Sequence, residues 1–127
     1  MNWTLEVIVV PVSDVERAKT FYADGMGFVV DYDTNLVTGA RFVQLTPPGS
    51  GCSIIISTGL TDAVPGSLQG MQLVVRDIDA GRAELVERGV DVSEIEQVDE
   101  RDGGRLMHFA DPDGNRWTVQ EIRARQS

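Results

Sequence analysis

Apolar positions in this chain alternate between a period of two and a period near 3.6, and the whole sequence of periods occurs twice. Residues 7–28, VIVVPVSDVERAKTFYADGMGF, open with a β-branched run, pass through Val-x-Asp, and then place Val15, Ala18 and Tyr22 on one helical face. Residues 70–92, GMQLVVRDIDAGRAELVERGVDV, follow the same plan. Val75 and Asp77 match Val12 and Asp14, Ile78 matches Val15, and Leu85 matches Tyr22. Ile78, Leu85 and Val86 are the predicted apolar face of the second helix. Ser13-Asp14-Val15-Glu16 has the form of a capping box, which predicts Ser13 serving the first free N–H groups and Glu16 reaching back. Asp77 is the predicted N-cap of the second helix, and Gly25 and Gly89 mark the helix exits.

Each helix is followed by strands, predicted at 28–33, 40–46 and 52–57 in the first half and at 91–96, 105–110 and 117–122 in the second. TPPGSG (46–51) and DPDGN (111–115) supply the turns. The organisation predicted is a first βαβββ module over 1–58, a linker over 59–69, a second module over 70–122 and a tail over 123–127. The fold class is α+β. Two such modules side by side form a curved, half-barrel sheet with a concave groove, the kind of surface on which small molecules bind.

Composition narrows the function. The formal net charge is −9, which opposes binding to nucleic acid and suits a cationic ligand. No stretch approaches the length of an apolar membrane span, and the opening MNWTLEVIVVPVSD does not read as a signal peptide. The single cysteine, Cys52, cannot form an intrachain bridge and reads as a small buried hydrophobe. These features predict a cytoplasmic protein with neither membrane nor nucleic-acid partners.

The paired βαβββ plan, Val-x-Asp before each helix, FYADGMGF (21–28) and FADPDGNRWTVQE (109–121) together resemble the vicinal oxygen chelate superfamily. That group holds glyoxalase I, extradiol dioxygenases, fosfomycin-resistance enzymes and bleomycin-resistance proteins. The resemblance covers about residues 4–122 and implies a homodimer. It also implies four metal-ligand positions, which fall here on Val7, Gln44, Gly70 and Thr118. Valine and glycine side chains offer no lone pair and a neutral threonine is a poor ligand, so the expectation is no metal and no cofactor. Glyoxalase and dioxygenase chemistry leave with the ligands.

Strand alternation places Val7, Val9, Phe42 and Leu106 as apolar groove residues, with Gln44, His108, Thr118 and Gln120 as polar fixed points and Trp3 at the mouth. Leu5 belongs to the same face. Gln44 and Thr118 could instead bond one another inside a filled barrel, and His108, the only histidine, could be structural. Tyr22 and Trp117 read as core, and Asp111 and Asp113 as turn residues. Three functions follow. The first is a non-catalytic, metal-independent protein that binds an antibiotic or natural product by sequestration, in the manner of the bleomycin-resistance branch. The second is a metal-independent isomerase or lyase using His108 as acid and base. The third is a structural or regulatory partner whose groove is filled by side chains.

Overall fold

The computed structural model describes residues 1–125, so the last two residues of the predicted tail lie outside the described residues. The first module contains β1 (Val7–Val10), α1 (Val15–Thr20), β2 (Val29–Asn35), β3 (Arg41–Thr46) and β4 (Ser53–Ser57). The second contains β5 (Met71–Val75), α2 (Ile78–Glu87), β6 (Glu96–Gln97), β7 (Arg105–Ala110) and β8 (Arg116–Glu121). They form two separate four-stranded mixed sheets in the orders β1-β4-β3-β2 and β5-β8-β7-β6. In each, the first strand runs parallel to the last, because the helix carries the chain across the sheet before the three antiparallel strands begin.

Alternation assigns each sheet one core face. Val10, Val43, Leu45, Ile54 and Ile56 from the first and Met107, Phe109, Trp117 and Val119 from the second enter one continuous cluster with Val15, Ala18, Ile78 and Leu85 of the helices. Tyr22 and Trp117 are buried, as expected. Their rings, with Phe28, pack across the module boundary at centroid separations of 5.7 to 5.9 Å.

Several local expectations are corrected. Asp14, not Ser13, caps α1, accepting from the Arg17 N–H at 3.0 Å. Glu16 does not reach back but pairs with Arg41. Tyr22 lies on a π-helical turn, Phe21–Gly25, closed by the Met26 N–H donating to the Phe21 carbonyl at 2.9 Å. Val86 is 51% exposed. Leu85 sits almost above Ile78 after seven residues, and the next residue is rotated roughly 100° away. Cys52 is half-buried.

The strand predicted at 91–96 shrinks to Glu96–Gln97 plus an isolated bridge between Val92 and Phe109. From Val92↔Phe109 to Glu96↔Leu106, four steps on one chain oppose three on the other. One extra residue therefore bulges out and interrupts the ladder.

The modules are tied by the DPDGN turn. Asp111 accepts from the Asp113 and Asn115 N–H groups and from the Tyr22 hydroxyl at 2.8 Å. Asn115, fully buried, donates to the Pro11 carbonyl at 2.8 Å and accepts from the Leu68 N–H at 3.0 Å. Asp113 accepts from the Ser13 N–H and hydroxyl. Ser13 is thus a junction residue and not a helix cap. Burial, reinforced by the Asp111 charge, holds the Tyr22 phenol far above its usual range. Among the described residues no buried side-chain nitrogen or oxygen lacks a partner.

Candidate functional site

The faces of the two sheets turned away from the shared core carry the residues singled out in the sequence. On the first sheet the register sets Tyr32, Gln44, Ile55 and Val9 in one row across four strands. Phe42 and Val7 stand on the same face, and Val7, Val9, Phe42 and Gln44 are all half-buried. On the second sheet Gln72, Thr118 and His108 form the corresponding row. Leu106 and Gln120 face each other in the adjoining row. By position in the two modules, His108 is the counterpart of Gln44 and Thr118 that of Ile55.

The second face is an ordered polar surface. His108 Nδ1 lies 3.0 Å from Thr118 Oγ1, and Nε2 lies 4.0 Å from a Glu96 carboxylate oxygen. With Nε2 protonated towards Glu96, Nδ1 accepts from the Thr118 hydroxyl, whose oxygen then remains free as an acceptor. The His108 backbone N–H donates to Ser93 Oγ at 2.8 Å. Gln120 donates to the Gly103 carbonyl at 2.8 Å, which fixes its amide orientation, and accepts from Gln72.

The two modules form separate four-stranded sheets and not a closed barrel. Gln44 and Thr118, placed together from the sequence, stand on different sheets, and the partner of Thr118 is His108. Trp3 is 86% exposed and Leu5 68% exposed, so neither lines a wall in the isolated chain. Strand alternation gives the face of each side chain but not how two sheets are oriented, and that is where the sequence reading stops. It also missed Tyr32, Gln72 and Glu96. Their position directly opposite a recognised residue on the neighbouring strand is visible only in the register.

The donor set does not fit a resident metal. Val7 and Gly70 have no donor atom, Gln44 is on the other sheet, and the Thr118 hydroxyl is engaged by His108. A cluster of carboxylates, Asp77, Asp79 and Glu121, lies elsewhere. Those groups serve the Ala80 and Ile78 N–H groups and Arg105.

The profile described as the Glyoxalase/Bleomycin resistance protein/Dioxygenase superfamily matches residues 4–119. The chain belongs to this superfamily. Among solved structures it is similar to TnmS3, an antibiotic binding protein from Streptomyces sp. CB03234, at 36% identity with a TM-score of 0.83, over 95% of this chain and 97% of that one. A glyoxalase/bleomycin resistance protein from the same organism is 37% identical with a TM-score of 0.80, over 93% and 100% of the two chains. A superfamily member from Sphaerobacter thermophilus DSM 20745 is 31% identical with a TM-score of 0.81, over 94% and 98%. No curated protein sequence matches significantly. Among the described residues no helix is long and apolar enough to cross a membrane.

Proposed function

We propose that this superfamily member is a metal-independent binding protein that sequesters an antibiotic or related natural product and works as a homodimer in the cytoplasm. The observation that carries the reading is the pair of sheet faces turned away from the core, one carrying Val7, Val9 and Phe42 and one bearing the Gln72–Thr118–His108 row, in a chain similar over nearly its full length to an antibiotic binding protein. A bulky ligand needs walls on more than one side. Each face of the single chain supplies one wall. A second copy, presenting its second-module sheet to the first-module sheet of this one, supplies the other. Trp3 and Leu5, exposed just ahead of the edge strand β1, are the residues such a contact would cover, which puts Trp3 at the mouth.

In this arrangement Val7, Val9, Phe42 and Leu106 give contact area, and Gln44, His108, Thr118 and Gln120 orient polar groups of the ligand. The acceptor oxygens of Thr118 and Glu96, with a net charge of −9, suit a ligand bearing N–H donors or a cation. Titration with a panel of streptomycete antibiotics in the presence of EDTA tests the reading. Tryptophan fluorescence follows binding and mass spectrometry follows the recovered ligand. Saturable binding with the antibiotic returned at its original mass supports sequestration; no binding across the panel overturns it.

One observation favours a second reading. His108, held by Thr118 at 3.0 Å with a Glu96 carboxylate oxygen 4.0 Å from its other ring nitrogen, is placed as an acid–base group would be in a metal-independent isomerase or lyase. In that case H108A loses turnover and retains ligand affinity.

A further inference from the structure

We propose a second binding site, separate from the faces turned away from the core, for a small uncharged aromatic molecule in the cavity between α2 and the core face of the second sheet. This proposal goes beyond the sequestration reading and does not rest on it. The cavity measures about 170 Å³, and Phe28, Pro47, Leu73, Leu85, Met107 and Val119 form its walls. Gly81 of α2 also lines it, and the missing side chain there leaves the space open. A methyl group on Gly81 would meet only Val75, at 3.9 Å. Strand alternation puts this space directly behind the polar row: Met107 and Val119 face it, while His108 and Thr118, their neighbours in the chain, face the other way.

Size and chemistry together name the occupant. An enclosed apolar cavity of about 150 Å³ takes up benzene, and this one is of similar size but partly open to solvent. At the rim Glu84 and Arg88 are ion-paired at 2.6 Å, so neither charge is free for a ligand. The Arg88 guanidinium also lies against Gly27, where a Cβ would come within 2.4 Å of it. Away from that rim the lining side chains, among them Phe28, Leu73, Leu85, Met107 and Val119, are apolar, so the inner wall offers a hydroxyl or amine little in exchange for its hydration. Recognition therefore runs mainly through dispersion and desolvation, which selects a flat hydrocarbon of one ring over a polar analogue. Met26 and Met107 on the lining give the space some adaptability.

The test compares benzene with phenol on the full chain. Benzene at about tenfold over its Kd is expected to raise the melting temperature by about 5 °C. It should also shift the methyl NMR signals of Leu85 and Val119 ahead of those of Val7 and Val9. Phenol is expected to bind at least about tenfold more weakly. G81L, which fills the space, should abolish the benzene effect. G81A should fold with the wild-type spectrum and reduce it, which covers the case in which the leucine disturbs the helix. Absence of a benzene effect in the wild type, an equal effect in G81A and G81L, or shifts confined to Val7 and Val9 would each overturn the proposal.

Discussion

The Tyr22 hydroxyl donates to Asp111 at 2.8 Å and accepts from the Trp117 indole N–H at 3.0 Å, joining the first module's helix to the second module's hairpin. All three residues are buried. Y22F keeps the ring packing but leaves the indole N–H without an acceptor in the core. The expected loss is about 2 kcal/mol of unfolding free energy, read from urea denaturation. A loss near zero would mean that the junction does not depend on this bond.

The same phenol sets an alkaline limit. Its ionisation is held above the ordinary value of 10.0 by burial first and the Asp111 charge second. In the unfolded chain it ionises at the ordinary value. The stability it contributes is therefore complete below pH 10 and is lost as the pH rises towards the folded-state value. The absorbance step of the Tyr22 phenol should coincide with unfolding, and Y22F should remove it.

Gly66 has a φ of +85°, and a Cβ there would lie 2.0 Å from the Asp113 carbonyl oxygen. Its N–H also donates to Pro11 at 3.3 Å, close to where Asn115 holds the same carbonyl. G66A must move the DPDGN turn, so a loss of about 3 kcal/mol is expected. G39A, at a similar φ with nothing within 4 Å, is the control and should cost about 1 kcal/mol. Thermal melts of the two variants separate the close approach from the conformational cost.

These residues show what the chain order discloses and what it hides. The repeat of Val12/Asp14 in Val75/Asp77 announces two modules, the helical period places Tyr22, and period-two runs place Trp117 and the strand faces. These are local consequences of sequence. The exposure of Val86 was legible too, had the helical angle been followed one residue further. The bulge near residues 93–95 was not, because it arises from a register mismatch between segments more than ten residues apart. The junction role of Ser13 was hidden for a similar reason: a capping box competes with a carboxylate a hundred positions away, Asp113, and the carboxylate wins. The site suffered most. Alternation shows that Gln44 and Thr118 each point away from the core, yet only the register shows that the partner of Thr118 is His108.

The Thr118–His108 pair gives a direct check on the polar row. T118V removes the hydroxyl at a half-buried position and should change stability by less than about 1 kcal/mol. It should weaken binding of an antibiotic found in the titration by about tenfold, as loss of one hydrogen-bonding group does at a partly desolvated site. T118S should restore most of the affinity. Equal affinity in T118V and wild type, by isothermal titration calorimetry, would remove Thr118 from the ligand contacts.

The central claim is that a pair of chains holds an antibiotic intact without a metal. Native mass spectrometry of the protein mixed with a bound streptomycete antibiotic, after exhaustive EDTA treatment, tests it in one spectrum. The expected species is twice the 13.9 kDa chain plus antibiotic of unaltered mass. Antibiotic on single chains, a changed antibiotic mass, or a complex that forms only after a divalent metal is restored would contradict it.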